Sequence, residues 1–247
     1  MRGIGGSMNK LYIVIPAYNE QDNIVDVVND WYPVIEARSE DSRLVIIDDG
    51  SKDDTYKALC GLAKDRPKMI ALTKPNGGHG ATVLYGYNYA LEHNADYVFQ
   101  TDSDGQTLAS EFGKFWKRRN KYDMVIGHRK GRQDGFSRKV VTKTLKLVCW
   151  LSFGVKLTDA NTPFRLMKAE GLKENLKYVP KDFNLSNVIL SVIYAKRKQA
   201  VRYLPITFRP RQGGVNSINL KRIFKIGKQA LKDFRTINKQ IKDIDKQ

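Results

Sequence analysis

The 247-residue chain is 41% hydrophobic and 10% aromatic, and its 43 Lys and Arg against 26 Asp and Glu leave a formal net charge of +17. This composition excludes a disordered polymer and suits one large α/β domain, or one domain with an appendage, while the charge calls for nucleic acid, anionic lipid or a phosphorylated substrate as partner. A membrane-spanning helix is not expected, because the longest apolar candidate, Leu145 to Val155, is broken by Lys146, Ser152 and Gly154.

In chain order, Met1 to Ser7 reads as a cloning remnant before a start at Met8. The run Leu11-Tyr12-Ile13-Val14-Ile15 is apolar and β-branched, stops at Pro16, and precedes an amphipathic stretch from Asn19-Glu20 to about Ala37: a strand, then a helix. Leu44 to Ile47 repeats the pattern and ends in Asp48-Asp49-Gly50-Ser51, after which Asp53-Asp54-Thr55 can cap a helix to about Asp65. Met69 to Thr73 is a third strand, Asn76-Gly77-Gly78-His79-Gly80 a glycine-rich turn, and Ala81 to about His93 a helix. A fourth strand starts at Tyr97, a helix covers Ser110 to Arg119, and Met124 to Gly127 is a strand. Ser137 to Phe153 reads as a helix with a basic start, Phe164 to Met167 as a strand and Asn184 to Lys198 as a helix. Val201 to Phe208 is a last strand that Pro205 assigns to an edge. Strands alternating with helices and buried on both faces imply a mostly parallel, doubly wound sheet, with its ligand site at the strands' carboxyl ends. Cys60 and Cys149 stand in apolar, helical surroundings and read as reduced core thiols of a cytoplasmic protein.

The tail from Ser217 differs in character. Leu220, Phe224, Gly227, Leu231, Phe234 and Ile241 form one face at three- and four-residue spacing, among Lys221, Arg222, Lys225, Lys228, Lys232 and Arg235. Two uses fit this pattern, packing of the apolar stripe on the domain or docking on an anionic membrane surface.

One stretch carries chemistry directly. Tyr97-Val98-Phe99-Gln100-Thr101 ends in Asp102-Ser103-Asp104-Gly105-Gln106, and alternate residues of an extended segment point the same way. Asp102, Asp104 and Gln106 can therefore offer oxygens to one hard cation, magnesium or manganese, with positions left open for a diphosphate. His79, His93 and His128 show no spacing for a metal cluster and are not expected to be ligands.

Val14 to Glu20, Ile46 to Thr55 and the Asp102 to Gln106 loop, in this order and spacing, resemble family 2 glycosyltransferases of the GT-A, nucleotide-diphospho-sugar transferase fold. Asp159-Ala160-Asn161-Thr162-Pro163-Phe164-Arg165-Leu166-Met167 and Leu204 to Arg211 are similar to the dolichyl-phosphate mannose synthase branch, which includes polyprenyl-phosphate glycosyltransferases. The resemblance implies a catalytic domain over 8–216, and the residue pattern alone makes 217–247 a basic helical tail. It implies that Pro16, Tyr18, Glu20, Asp48, Asp49, Gly77 and Asp102 bind the nucleotide of a UDP- or GDP-sugar, whereas Asp53 and Asp54 suit helix caps. The metal at Asp102, Asp104 and Gln106 would serve the diphosphate, making Asp104 essential to catalysis. The reaction would be inverting transfer at the cytoplasmic membrane face, with the enzyme held there peripherally.

The acceptor sets the mechanism. A lipid phosphate is already anionic and needs positioning, for which Arg129, Arg138, Arg165, Arg209 and Arg211 are candidates. A saccharide or lipid-linked oligosaccharide hydroxyl needs a base, for which Asp159 is the candidate, unless that carboxylate instead aligns Arg165. A nucleic-acid-binding module is the reading of another class; the carboxylate-rich strand edge counts against it.

Overall fold

The computed structural model describes residues 9–129, 136–180, 183–209 and 233–240, with the backbone alone over 136–144. Seven strands, β1 Leu11–Ala17, β2 Arg43–Asp48, β3 Met69–Thr73, β4 Tyr97–Gln100, β5 Met124–Arg129, β6 Arg165–Lys168 and β7 Val201–Ile206, form one sheet in the order β3-β2-β1-β4-β6-β5-β7. All neighbours are parallel except β6, which runs antiparallel to both β4 and β5. The reason is topological. After β5 the chain leaves from the carboxyl edge and re-enters at that same edge, where Arg165 pairs with Gln100, so β6 must run back down the sheet.

The helices are α1 Ile24–Glu36, α2 Thr55–Ala63, α3 His79–Glu92, α4 Phe112–Trp116 after a single tight turn at Ala109–Glu111, α5 Phe136–Phe153, α6 Ala169–Leu176, α7 Ser186–Lys196 and α8, 233–240. Strand alternation divides the core. Leu11, Ile13, Ile15, Leu44, Ile46 and Phe99 meet Trp31, Phe112 and Phe115 from α1 and α4, while Val14, Val45, Ile47 and Val98 meet Val83, Tyr87, Phe153, Ile189 and Phe234 on the opposite face. Close approach of α3 to β1 requires Gly86, where a Cβ would lie 2.3 Å from Val14 Cγ1.

Some elements depart from the sequence expectations. α1 starts at Ile24, since Asn19 has a left-handed φ of 53° and the Glu20 carbonyl accepts the amides of Asn23 and Ile24. The helix expected over Ser110 to Arg119 shrinks to the turn and α4, and α6 was not anticipated. α7 is buried along nearly its whole length, including Ser186, Asn187 and Ser191. Pro205 does lie on an edge strand, where a missing ladder donor is tolerated. Cys60 is exposed on α2 rather than in the core; Cys149 is buried, and desolvation pushes its thiol up to about 11.

Of the expected tail helix, Leu220, Phe224, Gly227, Leu231 and Ile241 lie outside the described residues. α8 packs on the domain: Phe234 meets Phe153 edge-on at 5.1 Å, Ile237 is buried, and Asn238 Nδ2 donates to the Ser152 carbonyl at 2.6 Å. Among the described residues no helix is long and apolar enough to cross a membrane.

Candidate active site

The carboxyl ends of β1, β2 and β4 and the loop before α3 converge on one edge. β1 and β2 are locked there by the Asp49 amide on the Ala17 carbonyl at 2.8 Å, the Asn19 amide on Ser51 Oγ at 2.9 Å and the Lys52 amide on Asn19 Oδ1 at 2.9 Å. Pro16 is buried and its carbonyl accepts Ser103 Oγ at 2.8 Å, tying β1 to the loop after β4. Tyr18 is exposed at this rim; Glu20 is buried and accepts Asn23 Nδ2 at 2.7 Å. Asp53 Oδ1 accepts the Thr55 amide at 3.0 Å in the turn before α2, whereas Asp54, which stands at the N-cap position, makes no side-chain capping bond, so the capping expected of this pair is not formed.

The two carboxylates ending β2 do different work. Asp48 is buried and accepts Thr73 Oγ1 at 2.8 Å and the Ser51 amide at 3.2 Å, which braces β2 against β3 and the following turn. Asp49 accepts Lys74 Nζ and the amides of Gly77 and Gly78 at 2.9 and 2.8 Å, which holds the glycine loop in place. Burial pushes the Asp49 carboxyl up, but hydrogen bonds from Lys74, the Gly77 amide and Thr82 outweigh it, leaving it below the ordinary carboxylate range. Gly78 has φ 87°, and Gly80 sits so close to the turn before α7 that a Cβ would lie 2.3 Å from the Phe183 carbonyl oxygen. The starts of α3 and α7 are thereby fixed against each other.

At the end of β4, Asp102 and Asp104 are half-buried, and Asp104 Oδ1 accepts the Gln106 amide at 3.1 Å. His79 Nε2 lies 2.9 Å from Asp102 Oδ1. Desolvation lowers the His79 pKa, but Asp102, then Asp104 and Asp49, outweigh it and raise it overall. The spacing of the histidines gives no sign of this contact; the neighbour of His79 is a carboxylate 23 residues on, and the one hint in the chain is its place in the glycine loop. Gln106 is bound to the segment after β7, since its Nε2 donates to the Arg209 carbonyl at 2.9 Å and its own carbonyl accepts the Arg209 amide at 2.8 Å. Arg209 thus stands at the site with an exposed side chain.

A hard cation fits the donor set in part. Asp102 and Asp104 supply anionic oxygens at alternate positions, and among the described residues no group of three His, Cys, Asp or Glu side chains forms a cage. A cation here would rely on a ligand's oxygens to complete its coordination.

Asp159 is not the partner of Arg165. Its carboxylate takes Arg129 Nε and Nη2 at 2.9 and 2.8 Å, a two-pronged pair joining the end of β5 to the strand-entry loop of β6. Burial raises the Asp159 pKa, and the Arg129 hydrogen bond and charge reverse that, so it lies below the ordinary value. Such a carboxylate is a poor proton acceptor near neutrality. Arg129 is itself largely buried, with its guanidinium 5.1 Å from the centre of the Phe208 ring.

Arg165, expected among the phosphate holders, is fully buried. Its guanidinium donates to the carbonyls of Thr162 at 2.8 Å, Ala160 at 3.1 Å and Asn187 at 3.0 Å, stitching the β6 entry loop to α7. Burial lowers its pKa, with Tyr87 the leading opposing influence. Ser191 Oγ lies within hydrogen-bonding distance of the same Ala160 and Asn187 carbonyls, at 3.1 and 2.8 Å, and shares its one proton between them, which accounts for that hydroxyl inside α7. Arg211 and the side chain of Arg138 lie outside the described residues. A separate cavity of about 440 Å³ runs along α3, lined by Lys74, Ala81, Tyr85, Asn88, Tyr89 and Glu92, and shares Lys74 with the Asp49 clamp.

The model of the family described as "Glycosyl transferase family 2" matches residues 12–176, about two thirds of the chain and all of the carboxylate-bearing edge. The chain belongs to glycosyl transferase family 2. Relatives of this glycosyltransferase include the UDP-N-acetylglucosamine–dolichyl-phosphate N-acetylglucosaminyltransferase of Methanococcus voltae, 29% identical over 66% of this chain and 71% of that protein. The undecaprenyl-phosphate 4-deoxy-4-formamido-L-arabinose transferase of Proteus mirabilis is 26% identical over 62% of the chain, and that of Salmonella choleraesuis 22% over 89%. The glycosyltransferase spans only 47% and 65% of the lengths of those two proteins. Solved structures of glucosyl-3-phosphoglycerate synthase from Mycobacterium tuberculosis superpose with a TM-score of 0.68 at 15% identity over 93% of this chain and 80% of theirs, in a complex with phosphoglyceric acid. A complex of that synthase with Mn2+, UDP and glucosyl-3-phosphoglycerate gives 0.66 over the same shares, again at 15% identity. Together with the family match, these likenesses place the glycosyltransferase in the GT-A fold.

Proposed function

We propose that this glycosyltransferase moves a hexose, with inversion, from a UDP- or GDP-sugar to polyprenyl phosphate. The observation that carries the reading is the pair Asp102 and Asp104 at the end of β4, facing the loop whose amides Asp49 holds. The names of its relatives, each a transferase to dolichyl or undecaprenyl phosphate, support the acceptor class. In this reading Pro16, Tyr18, Asp48 and Gly77 border the nucleotide pocket, and Asp49 acts by setting the glycine loop.

Asp102 and Asp104, with Gln106 beside them, would hold magnesium or manganese, which would supply Lewis-acid stabilisation of the negative charge left on the departing nucleoside diphosphate. The acceptor phosphate oxygen attacks the anomeric carbon as an anion, so no side chain has to remove a proton. That is consistent with an Asp159 committed to Arg129 and depressed in pKa. Arg209, exposed beside Gln106, is the described arginine best placed to orient the acceptor phosphate. The catalytic domain is 8–216; the rest forms a tail whose last described turns dock on it through Phe234 and Ile237. The enzyme works peripherally at the cytoplasmic membrane face.

The test is release of nucleoside diphosphate from a panel of UDP- and GDP-sugars, with manganese or magnesium, in the presence and absence of a short polyprenyl phosphate. Release that requires one donor and the lipid phosphate supports the reading and names the sugar. Donor hydrolysis that the lipid phosphate does not accelerate overturns the acceptor and turns the search to saccharide hydroxyls.

A further inference from the structure

His79 is the first residue of α3 and stands between two glycines that are held in place. Asp49 takes the amides of Gly77 and Gly78, the Gly78 carbonyl accepts both the amide and Oγ1 of Thr82 at 3.1 Å, and Gly80 is pressed against the Phe183 carbonyl. The loop that His79 faces is braced as well. Thr101 Oγ1 lies 2.7 Å from Thr107 Oγ1, and Ser103 Oγ donates to the Pro16 carbonyl at 2.8 Å, so Asp102 is pinned from both sides. Two braced loops thus deliver one imidazole to one carboxylate. His79 Nε2 and Asp102 Oδ1 stand 2.9 Å apart, and their side chains keep 49% and 24% of their surface open to a ligand.

Two features distinguish this pair from a surface hydrogen bond. The first is its span, since donor atoms 2.9 Å apart match one edge of an octahedron with bonds of about 2.1 Å, the coordination a small dication demands. The second is the surrounding charge. Asp104 and Asp49 act on the ring together with Asp102, and three carboxylates around one half-exposed imidazole favour a divalent cation beside it. Among the described residues no Lys or Arg pairs with Asp102, so its oxygens remain open to a metal.

We propose that His79 Nε2 is a ligand of the cation held at Asp102, so that the site takes a transition-metal dication, manganese among them, in preference to magnesium. The inference rests on the cation reading above and deepens it. An imidazole nitrogen is a softer donor than a carboxylate or a water, so it adds affinity for transition metals, whereas magnesium sheds its water reluctantly and gains little from it. The ring binds as the neutral imidazole, its proton displaced by the cation.

The full chain is titrated with Mn2+ in the presence of UDP and, separately, of GDP. Free Mn2+ is read by electron paramagnetic resonance, and Mg2+ affinity by displacement of the bound Mn2+. Pulsed resonance of bound Mn2+ is expected to show coupling to an imidazole nitrogen, altered by isotopic labelling of the histidine nitrogens. His79→Gln retains an N–H donor of similar reach and removes the ring nitrogen. With circular dichroism as the wild type, it is expected to abolish that coupling, weaken Mn2+ binding by about tenfold or more and leave Mg2+ within about threefold. An equal loss for both metals overturns the inference, because a hydrogen bond that merely orients Asp102 serves every cation alike. Tighter Mn2+ binding by the variant also overturns it, as the mark of a ring that competes with the cation. So does nitrogen coupling that is missing from the wild type or survives in the variant. In each of these three cases, Mn2+ binding that Asp104→Asn removes leaves the metal site itself standing. Wild-type Mn2+ affinity no greater than that of Asp104→Asn refutes the metal site, and the proposed ligand with it.

Discussion

Replacing the buried guanidinium of Arg165 separates a framework role from a ligand-binding one. Arg165→Met keeps most of the side-chain volume and removes the donors to the carbonyls of Ala160, Thr162 and Asn187. A buried polar group left without a partner costs about 1–3 kcal/mol. Ser191 Oγ has one proton and can still serve either the Ala160 or the Asn187 carbonyl, so the Thr162 carbonyl and the other of these two bear most of the loss. Relief from burying a charge offsets part of the sum. The net expectation is a loss of about 3 kcal/mol, a large share of the roughly 5–15 kcal/mol that holds a typical domain together. Urea unfolding followed by circular dichroism should show a midpoint lowered by about 1 M or more. Arg165→Lys should recover little, because one ammonium cannot reach three carbonyls on separate segments. A variant within about 1 kcal/mol of wild type, but with a tenfold higher KM for lipid phosphate, would refute the framework role and return Arg165 to the acceptor site.

Asp104→Asn should lower turnover by at least about a hundredfold with unchanged circular dichroism, and undiminished transfer would remove it from the metal site. Asp159 has a folded pKa below its unfolded value of about 3.9, so its contribution to stability is full above that pH and is lost as pH falls through the folded value. Asp159→Asn should therefore flatten the decline of the urea midpoint below about pH 4, while transfer to a lipid phosphate persists; loss of transfer by orders of magnitude in a folded variant would make Asp159 a base after all. Gly80→Ala puts a methyl group 2.3 Å from the Phe183 carbonyl oxygen and 2.5 Å from that of Asn184, so it should lower stability by about 1–3 kcal/mol; an unchanged melting temperature would mean that α3 and α7 are not held together there.

The chain by itself determined the features that depend on near neighbours in sequence. Apolar runs stopped by Pro16, Asp48 and Asp102 mark strands that end at one edge, because short buried runs between amphipathic stretches have few other solutions. The acidic residues that follow the apolar run at Tyr97 likewise pointed to the loop after β4, although the strand ends at Gln100 and its two-residue period does not extend to Asp102 and Asp104. Tertiary structure decided what depends on which distant segments meet. Asp159 lies six positions from Arg165 and thirty from Arg129, yet it binds the latter, because the antiparallel return of β6 turns Arg165 inward over α7 and brings the Asp159 loop back to the end of β5. Nothing in the strand's own pattern announces that reversal, since an apolar strand buried on both faces reads the same in either direction. His79 on Asp102, Asp49 beneath the glycine loop and Phe234 packed on Phe153 are contacts of the same kind, set by chain crossings rather than by spacing.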